Sequence, residues 1–159
     1  MVEIILAQEK LNDFLCLIRE YTSAISAEDS EVNQVLSSQN LNDELINVEK
    51  KYGLPTGRMY IAVSDGVIAG CVALTQNDSD YCELKRLYVR PQFRGQNIGQ
   101  ILTNQIISDA KKIGYKYIRL DTFPFMKSAI KLYENLGFYY IDKYNDNPAT
   151  TAVFMELSL

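Results

Sequence analysis

Apolar residues in this chain change their spacing several times, and each change marks an element. Leu11, Phe14, Leu15 and Ile18 recur at three- and four-residue steps, which predicts a helix over 9–25 with one buried face. Leu41, Leu45, Val48 and Tyr52 repeat the pattern until Gly53, with Pro55 just beyond, so 41–52 reads as a second helix. The polar, mildly acidic stretch between them, 26–40, reads as a mobile connection or a short helix. Apolar runs over 59–63 and 67–74 flank Asp65-Gly66, a dipeptide that tolerates positive φ and so folds two strands into a hairpin. Residues 77–80, Asn-Asp-Ser-Asp, form another turn and lead into a long strand over 81–89.

Further on, Ile98, Ile101, Leu102, Ile106, Ala110 and Ile113 make one helix face, ended by Gly114. A strand over 117–121, a helix over 126–136 closed by Gly137, and strands over 138–141 and 152–157 follow; a short apolar strand over 2–7 opens the chain. The predicted order is β-α-α-β-β-β-α-β-α-β-β. Three consecutive hairpin-linked strands exclude a purely parallel sheet. The fold class is therefore α/β (α+β), with a mixed, mostly antiparallel central sheet flanked by helices. A length of 159 residues suits one domain over 1–159 with a full core.

Composition narrows the chemistry. The net charge of −4 leaves no basic footprint for nucleic acid. No apolar run approaches the ~20 residues of a membrane span, and no basic-then-apolar leader opens the chain, so a cytoplasmic protein is expected. Cys16, Cys71 and Cys82 lack Cys-x-x-Cys spacing and read as reduced core residues. There is no histidine, which removes Ser-His-Asp and Cys-His catalysis and the commonest zinc ligand, and no metal is expected. Any acid or base must be Glu, Asp, Tyr, Lys or Cys.

The most informative stretch is ELKRLYVRPQFRGQNIGQ, from Glu83 to Gln100. A strand runs through Pro91 into an Arg94-Gly95 turn that opens a helix. Such a turn leaves backbone N–H groups unpaired at a helix N-terminus, and the helix dipole adds to their preference for a phosphate. Neither P-loop nor Rossmann spacing is present.

The segment Arg94-Gly95-Gln96-Asn97-Ile98-Gly99 resembles the pyrophosphate loop of the GNAT superfamily of acyl-CoA-dependent N-acetyltransferases, Gln/Arg-x-x-Gly-x-Gly/Ala. Arg94 and Gly99 match; Asn97 occupies the first glycine, and Asn is the non-glycine residue most at ease at positive φ. A later signature matches as well: Ala129, then Tyr133, then Gly137-Phe138. Where the family commonly has Asn before this alanine, the chain has Met126. The element order also resembles the GNAT fold across essentially the whole chain, and the wording ELKRLYVRP resembles a bacterial small-molecule branch.

That resemblance implies acetyl-CoA as co-substrate. It places the pyrophosphate on Arg94 to Gln100 and the pantetheine arm on the backbone of Leu87, Tyr88 and Val89, with a backbone N–H there, expected from Val89, serving the oxyanion. It also sets Tyr133 beside the sulfur. Acyl transfer needs a neutral amine (pKa roughly 10.4) and gains from a proton donor to the departing thiolate (pKa roughly 8.5). Tyr133, neutral at pH 7, suits the donor, the alternative being mere packing beside Ala129 and Ile130. Glu83 is the candidate base, the alternative being an ion pair at the sheet edge. Strand alternation sets Glu83, Lys85, Leu87 and Val89 on one face, with Arg86 and Tyr88 structural on the other. Lys85 is placed to lower the Glu83 pKa or to bind a substrate carboxylate.

The acceptor is expected between 26–47 and 139–150. Glu28, Asp29, Glu31, Asp43 and Glu44 would favour a cationic amine, and Tyr139, Tyr140, Tyr144 and Asn147 would grip a small polar body. The expected partner is a small-molecule amine, with a homodimer left open. Two other readings stand beside it: a non-catalytic acyl-CoA-binding or regulatory module, and an acetyltransferase acting on a protein amine.

Overall fold

Hairpins build most of the sheet. The computed structural model describes residues 1–159. Asp65 and Gly66 take φ of 48° and 82°, and they turn β2 (Arg58–Ser64) back into β3 (Val67–Gln76). The 77–80 turn is pinned by Asp78, whose Oδ1 accepts the N–H groups of Asp80 and Tyr81, and β4 (Tyr81–Val89) returns alongside β3. With β1 (Val2–Leu6), β5 (Tyr117–Thr122), β6 (Tyr139–Tyr140) and β7 (Val153–Ser158), the seven strands lie in the order β1-β2-β3-β4-β5-β7-β6. Only β4 and β5 pair in parallel, so the sheet is mixed and mostly antiparallel.

The helices are α1 (Leu11–Ser26), α2 (Glu31–Ser38), α3 (Leu41–Ile46), α4 (Val48–Tyr52), α5 (Ile98–Ile113) and α6 (Lys127–Asn135). Of the two readings of the 26–40 stretch, the short helix holds, because Val32, Val35 and Leu36 bury one face against Ile25 and Phe123. One expectation is corrected here. The 41–52 stripe breaks at Asn47 (φ −128°, ψ 52°) into two short helices, a split that periodicity cannot register because both halves bury the same side. The observed order is therefore β-α-α-α-α-β-β-β-α-β-α-β-β.

Each sheet face carries its own core. On one, α5 packs Leu102, Ile106 and Ala110 against Cys82, Leu84 and Ile118, joined by Tyr133 and Phe138. On the other, Phe14, Leu17 and Ile18 of α1 meet Tyr52, Met59 and Ile61. Each Leu, Ile, Phe or Met among these, fully buried, contributes about 1.5–3 kcal/mol. Cys71 and Cys82 are core residues, but Cys16 is exposed on the outer side of α1, one position away from the buried stripe.

A bulge in β4 corrects a further expectation. Ala73 opposes Lys85 while Cys71 opposes Tyr88, so β4 carries one extra residue, and Arg86 takes φ 59° there. An extra residue reverses side-chain alternation. Leu87 and Val89 consequently join Cys82 and Leu84 on the α5 face. Lys85, Arg86 and Tyr88 instead share the α1 face with Glu83, and Arg86 reaches Glu44 of α3.

Candidate active site

The anion loop begins at Pro91, whose ring starts a 3₁₀ turn over Pro91–Phe93. Gly95 (φ 81°) and Asn97 (φ 60°, ψ 19°) then bend the chain into α5. The first backbone bond back into the loop is the Ile101 N–H to the Asn97 carbonyl, leaving the N–H groups of 95–100 without a protein partner. Residues 94–97 are exposed, so these donors converge on open space at the positive end of a sixteen-residue helix. Arg94 donates from Nε to the Val89 carbonyl at 3.2 Å, which holds its guanidinium beside the loop. Gly99 sits where α5 meets its neighbours, since a Cβ there would touch Leu132 at 3.5 Å and Val89 at 3.9 Å.

Beside the loop the sheet opens. The β4–β5 ladder consists of Tyr81–Tyr117, Cys82–Ile118 and Glu83–Arg119, and then stops. Beyond Glu83 the two strands part, β4 staying with β3 and β5 with β7. Arg90 donates its N–H to Ala69 on β3, so alternation turns the backbone of Val89 away from β3 and into the gap, as its bond from Arg94 also requires. A cleft of ≈ 860 Å³ results, running from residues 94–100 along Leu87 and Val89 to Met126 and Leu132. Its polar features fit a long co-substrate: unpaired strand groups for an amide-bearing arm, and helix N–H groups for a diphosphate.

Met126 also lines a narrower inner chamber of ≈ 40 Å³, room for roughly two or three water-sized groups. Its sulfur accepts weak bonds from Thr122 Oγ1 at 3.4 Å and Tyr21 Oη at 3.9 Å. Tyr133 reaches this chamber from the α5 face, while Lys85, Arg86 and Asp121 reach it from the other. Tyr133 is 5% exposed and its ring tilts against Phe138 at 5.5 Å. Burial raises its pKa well above the ordinary phenol value, with Tyr21 and Asp121 adding to the rise. The hydroxyl is therefore a neutral donor at any physiological pH.

Asp121 escaped the sequence reading. Its Oδ2 accepts from Asn145 at 2.8 Å and Asn147 at 3.1 Å. No such bond reaches Oδ1. The available signal was a carboxylate at the C-terminal end of a strand beside a splay, which requires knowing where the ladder stops.

Glu83 lines neither the cleft nor the chamber. One of its oxygens accepts from Asn77 at 3.3 Å, the other from Tyr144 at 2.9 Å and faces Lys85 Nζ at 3.6 Å. Lys85 thus stands between Glu83 and the chamber. The expected acidic surface is also thinner than its sequence: Glu44 is buried, taking Arg86 and Lys51 as partners. Burial would raise the Glu44 pKa, but the hydrogen bonds and charges of those two cations outweigh it and bring it down to about 2. Of the four candidates in 139–150, only Asn147 lines the chamber. Tyr139 and Tyr140 are exposed on the β6 edge, and Tyr144 lies under Arg119, whose guanidinium carbon is 4.3 Å from its ring centre.

Residues 22–138 match the acetyltransferase (GNAT) family. An N-acetyltransferase of Schizosaccharomyces pombe is 38% identical over 153 residues, 95% of this chain and 90% of its own, so similarity extends beyond bacteria. Among solved structures, an acetyltransferase of Streptococcus agalactiae has a TM-score of 0.79 at 22% identity, over 99% of this chain and 98% of its own. A GNAT family acetyltransferase of Elizabethkingia anophelis with acetyl-CoA bound has a TM-score of 0.59 at 25% identity, over 73% of this chain and 82% of its own.

Proposed function

The chain belongs to the acetyltransferase (GNAT) family of acyl-CoA-dependent N-acyltransferases, and we propose that it moves an acetyl group from acetyl-CoA to a primary amine of a small molecule by direct attack. The observation that carries this reading is the run of unpartnered N–H groups over 95–100 beside the open edge of β4. Residues 95–100 and Arg94 would hold the diphosphate, and the Leu87 and Val89 backbone would hold the arm. The bound thioester supplies an electrophilic carbonyl carbon at the inner end of the cleft.

The Val89 N–H would then donate to the oxygen as it gains negative charge, a contribution typically worth ~3 kcal/mol. As the N–C bond forms and the C–S bond breaks, Tyr133 donates a proton to the departing sulfur. Asp121 or water takes one from the amine nitrogen, so that an amide and a free thiol result. Glu83, the base expected from sequence, has its oxygens engaged by Asn77 and Tyr144; its part in this reading is to hold Lys85 and Tyr144 in place. The narrow chamber, roofed by Val35 and Leu36 of α2, favours a small acceptor over a protein side chain.

Thiol release from acetyl-CoA with a panel of small amines tests the reading. Turnover above background hydrolysis with at least one amine is expected. Turnover confined to protein lysines would replace it with a protein-modifying activity.

A further inference from the structure

The cations beneath the inner chamber are unevenly partnered. Lys51, Lys85 and Arg86 face two carboxylates, Glu44 and Glu83. Glu44 is consumed: it accepts Arg86 Nε at 2.9 Å, Arg86 Nη2 at 3.0 Å and Lys51 Nζ at 2.9 Å. Arg86 also gives Nη2 to Gln39 at 3.0 Å. Lys85 is the cation left over. Its side chain is 7% exposed, its ammonium makes no hydrogen bond, and its nearest carboxylate oxygen, on Glu83, is 3.6 Å away. That oxygen already accepts the Tyr144 hydroxyl. A buried ammonium normally finds a close partner, because desolvation without one is expensive.

The crowding of cations shows in Lys51 as well. Burial lowers its pKa, and the charges of Lys85 and Arg86 add to the drop against the pull of Glu44. Lys85 is thus the cation on the chamber wall that has no hydrogen-bonded anion. On the opposite strand, Asp121 presents an Oδ1 that accepts no hydrogen bond, with its other oxygen fixed by two asparagines. One cation on β4 thus faces one carboxylate on β5 across the splay.

Resting on the acetyltransferase reading, we infer that the acceptor is an amine that also carries a carboxylate, an amino acid in the broad sense. Its carboxylate is bound by Lys85 and its amino group is directed toward Asp121 and Tyr133. The chamber's few heavy-atom places suit a carboxylate in the inner end, with the nitrogen at the Met126 junction where the thioester would arrive. A plain alkylamine or an amino-acid amide leaves Lys85 without a hydrogen-bonded anion and is the poorer acceptor.

The test compares matched acceptors on the whole protein with acetyl-CoA: the L-amino acids and β-alanine beside their primary amides, read by thiol release. At least one acid should exceed its amide in kcat/KM by roughly ten- to a hundredfold, the weight of one charge-assisted hydrogen bond. Lys85→Met should collapse that ratio, and Lys85→Arg should restore much of it, each variant's fold being checked by its CoA-induced rise in Tm. Amides equal to or better than acids throughout the panel overturn the inference, as does a ratio unmoved in Lys85→Met. Absence of turnover on every acid overturns it too, and turnover of the amides together with the CoA-induced Tm rise then shows whether the acetyltransferase reading survives.

Discussion

Arg86 and Glu44 lie 42 residues apart in sequence and form a buried two-pronged ion pair, with bonds of 2.9 and 3.0 Å. Arg86 occupies the β4 bulge, and Glu44 belongs to α3, which directly follows the α2 roof of the chamber. The pair therefore ties that roof to the strand whose backbone edges the cleft.

Its contribution to stability depends on pH in a definite direction. The folded pKa of Glu44, about 2, lies below the ordinary 4.5, so its stabilisation is fully present above pH 4.5 and is lost as pH falls toward 2. Denaturant midpoints measured from pH 6 downward should decline over that window. In Glu44→Gln the unfolding free energy should start lower by about 3–5 kcal/mol, because Arg86 and Lys51 lose their counter-charge, and its decline with pH should be shallower.

Gly70 opposes Val89 so closely that a Cβ there would lie 2.4 Å from the Tyr88 carbonyl oxygen and 3.2 Å from the Val89 Cα. Both neighbours are backbone and cannot swing aside. Gly70→Ala should push β4 toward the cleft, lowering both Tm and CoA affinity. A variant with unchanged CoA affinity by calorimetry would show that the β4 edge does not hold the arm.

In the loop, Asn97 already accepts the left-handed conformation, so Asn97→Gly should preserve CoA binding. Gly95→Val should weaken it, since a β-branched residue resists φ near 81°. Loss of CoA binding in Asn97→Gly, with the fold intact, would make the Asn side chain a ligand contact.

Tyr133→Phe removes one hydroxyl and keeps the ring against Phe138. CoA-induced stabilisation should persist while kcat falls roughly 10²–10⁴-fold. Because burial raises the Tyr133 pKa, its proton is retained through alkaline pH, and the wild-type rate should show no basic limb from this residue below about pH 10. Full activity in the variant would reduce Tyr133 to packing.

Much of this was legible from residue patterns. The strand over Tyr81–Val89 and the helix over Ile98–Ile113 were readable to the residue, since glycines and turn residues punctuate both. The Asp65-Gly66 hairpin and the left-handed Asn97 followed from backbone sterics. The facing of Leu87 and Val89 did not, because nothing in ELKRLYV marks Arg86 as the extra residue; bulges outside glycine leave little local trace. The fate of Glu44, Glu83 and Lys85 was hidden for a related reason. A charge run states how many charges a segment carries, whereas their pairing depends on which strands and helices meet.

The bulge at Arg86 divides β4 into two halves with separate duties. Ahead of it, Glu83 and Lys85 present side chains toward the chamber's underside, while beyond it the strand has no β5 partner and turns peptide groups to the cleft. Mutation can rewrite side chains but leaves peptide groups alone. In the proposed reading, substitution ahead of the bulge would alter which acceptor is taken, whereas the donor's hold beyond it would rest on atoms that every residue shares.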